Sequence, residues 1–264
     1  MSGMGWDRLK VDVALTPALA STERRTLRKE DSVYIVVDVL RATSTIVALL
    51  ERGCPRVYPV AGIEDARRLA RDGGFLLAGE RDGLPLPDFD LGNSPSQVGN
   101  MDFAGKSVVI TTTNGTRAIE RVRGAGAVLA GAFLNATAAC ARALELSEKG
   151  AGAVTIVCAG EKGGFVLDDA VCSGLLVKRL SQIAGERGIA ASLSDSACAA
   201  KRLYESYLDL TEAFKDSSSG KRLLEIGRGD DLVFSSRVDV YRIVPVLATC
   251  DPCTSEPVWF QKYE

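Results

Sequence analysis

The chain contains no histidine. That one absence removes Ser-His-Asp hydrolases, histidine phosphatases, Cys-His proteases and His-ligated zinc sites, because each needs an imidazole as base, nucleophile or ligand. Any chemistry must run on carboxylates, hydroxyls, lysine, arginine, thiols or a metal held by oxygen. An excess of charge is missing as well: 32 basic and 34 acidic side chains leave a net charge of -2. No global field draws the protein to nucleic acid or anionic lipid, so an anion must be held by a local site. No apolar run approaches the length that spans a bilayer, and the opening MSGMGWDRLKVDVAL lacks the basic-then-apolar pattern of a secretory signal. These two absences predict a cytosolic protein.

Other signatures fail on inspection. Seven cysteines are spread along the chain and only Cys250 and Cys253 form a CxxC pair. The seven read as reduced thiols buried as small apolar residues, and with no second pair and no histidine the CxxC leaves zinc or redox chemistry only as a minor reading. The AGKS at 104–107 imitates the end of a P-loop, but Asn100 stands where the first glycine belongs and a strand follows instead of preceding. No GxGxxG follows a strand, which argues against dinucleotide binding. Asp38-Val39-Leu40 has leucine where an aspartate-nucleophile phosphatase of the haloacid dehalogenase type needs its second acid.

What is present is an ordinary globular balance, 46% hydrophobic and 25% charged in 264 residues. Short apolar runs at 9–15, 33–39, 56–60, 75–79, 107–113, 127–131, 153–160, 232–234 and 241–247 read as buried strands. Helical patterns lie between them at 43–53, 63–73, 116–124, 134–150, 167–188 and 194–210. This alternation predicts a single α/β domain over 1–264, a three-layer α/β/α arrangement around a mostly parallel or mixed sheet. The irregular stretch GERDGLPLPDFDLGNSPSQVGN at 79–100 is expected to form a lid or a wall of a site.

Ligands of open α/β sheets sit beyond the carboxyl ends of strands, so the strand-to-helix junctions carry the functional reading. At Asp38 to Thr45, an acid, Arg41 and the hydroxyls of Thr43, Ser44 and Thr45 open a helix. Free N–H groups and a planar guanidinium suit a phosphate or sulfonate. A helix cap accounts for one hydroxyl but not for Asp38 and Arg41 together. The second junction, at 108–119, repeats the grammar with Thr113, Asn114, Gly115, Thr116 and Arg117. There Asn-Gly permits positive φ and a nest of amides, although a simple capped turn also fits. The third junction ends a strand in a glycine-rich loop and opens a helix with Asp168 and Asp169. First-turn acids commonly serve the helix dipole. Together with Asp38 and Glu80 they also make a hard-cation set, for which magnesium is the natural candidate.

The motifs DVLRATST at 38–45, GER at 79–81, FDLGNSP at 89–95, TTTNGT at 111–116, FLNAT at 133–137 and FVLDD at 165–169 occur in that order. Together they resemble the 2-phosphosulfolactate phosphatase family, over about residues 33–247. The resemblance implies a magnesium-dependent phosphatase converting (2R)-2-phospho-3-sulfolactate to (2R)-3-sulfolactate and phosphate, a step of coenzyme M biosynthesis. It implies magnesium on Asp38, Glu80, Asp168 and Asp169, with Asp38, Arg41, Asp168 and Asp169 as the catalytic group. Arg41 and Thr43 to Thr45 would cradle phosphate, Asn114, Thr116 and Arg117 would take the sulfonate or carboxylate end, and Asn93 and Ser94 would contact substrate or close the site. Three positions depart from the family pattern. Leu167-Asp168-Asp169 stands where relatives read E-D-D or E-D, Asp88 replaces a glycine, and Ser219-Gly220 replaces a frequent His-Gly. The last departure leaves open a phosphatase for another short phosphorylated hydroxy acid, and a non-catalytic sensor of such anions is the alternative outside enzymes. For oligomeric state the expectation is the common default of a homodimer.

Overall fold

Apolar, β-branched segments that must hide both faces become central strands, and three of them make the middle of this sheet. The computed structural model describes residues 8–21, 29–150, 152–248 and 257–263. Among them, β1 (Arg8–Ala14) and β2 (Val33–Val37) lead into α1 (Ala42–Glu51), β3 (Val57–Pro59), α2 (Ile63–Gly73), β4 (Leu76–Arg81), β5 (Leu84–Pro85) and α3 (Pro95–Val98). Next come β6 (Val108–Thr111), α4 (Gly115–Val122), β7 (Ala127–Gly131), α5 (Ala136–Ser147), β8 (Ala153–Cys158) and α6 (Leu167–Glu186). The last part holds β9 (Ala190–Leu193), α7 (Asp195–Glu205), α8 (Leu210–Asp216), α9 (Ser218–Glu225), α10 (Gly229–Ser235), β10 (Pro245–Leu247) and β11 (Phe260–Lys262).

The strands join in the order β5-β4-β6-β3-β11-β10-β7-β2-β8-β1-β9. β2 lies between β7 and β8, parallel to both, with Val36 opposite Ala130 on one side and Val157 on the other. Every residue of β2, β7 and β8 is buried, as a parallel centre covered by helices requires. α5 and α7 pack against α6, α3 and α4 pack against α1, and α8, α9 and α10 run between the two sets from α6 to α3. The result is a single α/β domain with a large, mostly parallel mixed sheet flanked by helices.

Two parallel blocks, β4-β6-β3 and β7-β2-β8-β1-β9, are joined by the antiparallel pair β10 and β11. Three antiparallel steps in a row, β3 to β11, β11 to β10 and β10 to β7, reverse one block against the other. The carboxyl ends of β2, β4 and β6 still meet at one cleft, so the sheet must coil strongly between them.

Several sequence expectations are corrected. The run LVF at 232–234 is helical, in α10, where Leu232 is buried and Val233 is exposed. Three apolar residues carry no period of their own, and the acids before them favour a helix start. In the run at 241–247 only Pro245–Leu247 is paired. β1 is not buried throughout, since Arg8 and Lys10 face solvent. Cys54, Cys140, Cys158 and Cys172 are buried free thiols and Cys198 is exposed. Cys250 and Cys253 lie outside the described residues.

Candidate active site

At the end of β2 the chain turns through Asp38 to Arg41 and enters α1. The turn is stitched from inside by its own hydroxyls. Thr43 Oγ1 donates to the Asp38 carbonyl at 2.9 Å and accepts from the Asp38 N–H at 3.2 Å, and Ser44 Oγ donates to the Val39 carbonyl at 2.8 Å. Thr45 is buried and its Oγ1 has no partner. None of the three lines the cleft; the hydroxyls of Thr43 and Ser44 support the loop that carries Asp38 and Arg41.

That loop opens onto a cavity of about 480 Å³. Asp38, Arg41, Glu80, Asn93, Thr113 and Asn114 line it, as the sequence led one to expect. Arg41 is buried and tightly held, with Nη1 donating to Asp231 Oδ2 at 2.8 Å and Nη2 to the Gly83 carbonyl at 2.7 Å. Glu80 is fixed by three donors: Thr113 N at 2.8 Å, Gly83 N at 2.7 Å and Thr113 Oγ1 at 3.3 Å. The loop at 79–100 therefore supplies a wall, with Asp82, Gly83 and Asn93 on it. Asn93 is buried and its Oδ1 has no partner. Ser94 does not line the cleft; it caps α3 and donates to Asp231 Oδ1 at 2.7 Å.

Negative charge is crowded here. Burial pushes the Asp38 carboxyl up to about 6, with the charge of Glu80 adding to the effect, while N–H groups of Ala42 and Gly115 and the charge of Arg41 oppose it. Asp168 lies behind the cleft wall, almost wholly buried. Its carboxyl is pushed up to about 7, first by burial and then by Asp38, against the hydroxyls of Ser219 and Ser217. Its Oδ1 has no hydrogen-bond partner. Asp169 is also displaced well upward by burial and by both neighbours. It is engaged differently, accepting from Val39 N and Gly160 N, each at 2.9 Å, and so clamps the ends of β2 and β8 together. Among the described residues no three acidic or cysteine side chains gather as a complete metal-ligand set.

The second junction differs from expectation. Asn114 has φ −119°, and Gly115 is not among the glycines with positive φ. The glycine serves close approach instead: a Cβ at Gly115 would lie 2.5 Å from Asp38 Oδ2 and 2.6 Å from Ala42 Cβ. Asn114 Oδ1 accepts from Lys162 N at 3.0 Å, which ties this junction to the third. Thr116 spends its hydroxyl on the Thr112 carbonyl at 2.9 Å. Arg117 is exposed and lies off the cleft lining.

Sequence reasoning missed Asp82, Glu161, Lys162, Arg222 and Leu223, which also line the cleft, and the supporting Asp231. For Lys162 a signal existed, since it sits in the glycine-rich loop after β8. Ser219, flagged as a departure from the family pattern, lines the cleft, and its hydroxyl partly offsets the upward push on Asp168.

Comparison with known proteins places the whole chain. The family model described as 2-phosphosulpholactate phosphatase matches residues 19–249. A protein of Thermotoga petrophila named "probable 2-phosphosulfolactate phosphatase" is 39% identical over 238 residues, 90% of this chain and 95% of its own. Its namesake in Thermotoga maritima is 38% identical over 238 residues, with the same shares of 90% and 95%. A third, from Clostridium acetobutylicum, is 36% identical over 213 residues, 80% of this chain and 87% of its own. With a matching family model over most of its length and relatives this similar, the chain belongs to the 2-phosphosulfolactate phosphatase family.

Proposed function

We propose that the protein is a magnesium-dependent phosphatase that hydrolyses (2R)-2-phospho-3-sulfolactate to (2R)-3-sulfolactate and phosphate. The observation that carries this reading is the meeting of Asp38, Glu80 and a clamped Arg41 in one cleft at the carboxyl ends of β2 and β4. The names of the relatives supply the substrate.

The residues fit a hard cation. Asp38 and Glu80 repel one another on the cleft lining, and Asp168 behind them has an oxygen without a partner. Magnesium binds through one or two carboxylates and fills its remaining positions with water and phosphate oxygens, so it needs no closed protein cage. Asp38 and Glu80 would hold it with Asp168 nearby, and the bound ion would offset the charge of the phosphoryl oxygens. Asp169, which is off the cleft lining and accepts from Val39 N and Gly160 N, serves instead to keep the strand ends in place.

Arg41 binds the phosphate, and the Asp231 contact fixes its orientation before substrate arrives. Asn114 and Asn93, also on the lining, orient the remaining oxygens. Overall, water adds to phosphorus, the bond from phosphorus to the C2 oxygen breaks, and the departing oxygen takes a proton. A second reading, hydrolysis of another short phosphorylated hydroxy acid, rests on Ser219, which lines the cleft at a position where the family often has histidine.

A phosphate-release panel of phosphosulfolactate, phosphoglycerate, phospholactate and an aryl phosphate, with and without magnesium, tests the reading. Phosphosulfolactate with magnesium is expected to be the best substrate, and Asp38→Asn to abolish its turnover with the circular dichroism spectrum unchanged. Full activity after exhaustive chelation would remove magnesium from the mechanism. Binding of sulfolactate with no phosphate released over hours would make the protein a sensor.

A further inference from the structure

The proposed substrate carries a sulfonate and a carboxylate besides its phosphate, and Arg41 is already paired with Asp231. A further cation is needed, and Arg117, the sequence candidate, lies off the cleft lining. The other two cations on the lining are Lys162 and Arg222, from segments far apart in the chain.

Both stand at the mouth. Asp82-Gly83 is the two-residue turn between Arg81 and Leu84, and Lys162-Gly163 is the two-residue turn between Glu161 and Gly164. All four turn residues have positive φ, with values of 51°, 84°, 50° and 84° in chain order, the geometry of a type I′ hairpin turn. Asp82, Gly83 and Lys162 all line the cleft, so the two turns meet at its edge. Across the gap Lys162 Nζ is 3.9 Å from Asp82 Oδ1, and Arg222 Nε donates to the Asp82 carbonyl at 3.4 Å. Lys162 and Asp82 are 72% and 71% exposed, and long contacts between exposed charges contribute little and exchange readily. Arg222 also pairs with Glu225 only at 3.5 Å.

We propose that Lys162 and Arg222 form a subsite for the sulfonate of the substrate, releasing their contacts with Asp82 to bind it. The inference rests on the proposed phosphosulfolactate reading and assigns the end of the substrate remote from phosphorus. The cleft then has an acid floor for a cation and phosphate, and a mixed rim on which Lys162 and Arg222, beside Asp82 and Glu161, supply the cationic groups for the sulfonate. Asn93, buried on the same lining with its Oδ1 unpartnered, marks the space between as a place for a ligand.

The test uses Lys162→Met and Arg222→Met, which keep the aliphatic stems, with Arg222→Lys to restore a charge. Calorimetric titration with 3-sulfolactate is expected to show affinity about tenfold weaker for each Met variant and largely recovered in Arg222→Lys. In kinetics the loss should fall on KM for phosphosulfolactate, and the ratio of kcat/KM between phosphosulfolactate and 2-phospholactate should drop about tenfold. Undiminished sulfolactate affinity, or an equal loss for both phosphate esters, would overturn the subsite. If the wild-type protein releases no phosphate from phosphosulfolactate, the proposed reaction falls, and the subsite is judged by the sulfolactate titration alone. No wild-type binding in that titration overturns the subsite too.

Discussion

Asp231 shows how much of the site depends on a side chain that never reaches the cleft. Its two oxygens accept from Arg41 Nη1 at 2.8 Å, Ser94 Oγ at 2.7 Å, Ser96 Oγ at 2.6 Å and Ser96 N at 3.2 Å. Removing it leaves a buried guanidinium without its counter-charge, a change that typically destabilises by about 3–5 kcal/mol. Asp231→Ala is therefore expected to lower the urea midpoint by that order and to weaken phosphate binding through a misplaced Arg41. A loss below about 1 kcal/mol would mean that the pair is not buried as described. Asp38, Arg41 and Glu80 were legible in the sequence because each stands at a strand end among apolar residues. The hydroxyls of Thr43, Ser44 and Thr116 were read as ligand contacts, but a hydroxyl beside a turn bonds its own backbone just as readily. Asp231 had no local signal at all, since its partner Arg41 is 190 residues away in the chain.

Among the elements, α6 determines the most, because its first turn carries Asp168 and Asp169 and its flank meets α7. The two helices approach closely at Gly174, where any Cβ would overlap the Ala200 carbonyl oxygen. A side chain there must push α7 outward, and overpacking of this kind costs roughly 1–3 kcal/mol or more. Gly174→Val is expected to lower stability by at least that much in chemical denaturation; an unchanged midpoint would show that the crossing is loose. The elements read correctly were those with a strong period or a fully apolar run, such as α2, α5, α6, β2, β7 and β8. Those missed were short or polar. β9, AASL, has no β-branched or aromatic residue and β11, FQK, has a single apolar one, so neither announces a strand, and α8 and α9 span only 7 and 8 residues. Their places are set by neighbours, β1 for β9 and β10 and β3 for β11, which is tertiary information.

On the scale of the whole molecule, the two parallel blocks depend on a thin join. β10 meets β7 through Val246 and Leu129, and β11 meets β3 through Phe260 and Val57. Phe260 is completely buried at that seam. Phe260→Ala is expected to cost about 3–5 kcal/mol, and loosening the seam should separate Glu80 from Asp38 and reduce magnesium-supported turnover. A single unfolding transition with unaltered activity would mean that the blocks hold together without the seam. The fold class was legible from alternating strands and helices, but the order of strands was not. Nothing local in residues 245–247 or 260–262 indicates that they enter the centre of the sheet.

That insertion also shapes how the chain must fold during synthesis. β3 and β7 leave the ribosome with one side each unpaired, waiting for strands encoded near residue 260. At about 5–20 residues per second, β11 follows β3 by roughly 10–40 s. β10 follows β7 by roughly 6–23 s, and until these partners arrive the strand edges lie open to pairing with other chains. The stage at which this protein is most exposed to aggregation is thus set by sequence distance, and shielding of the nascent chain matters most just before β10 and β11 emerge.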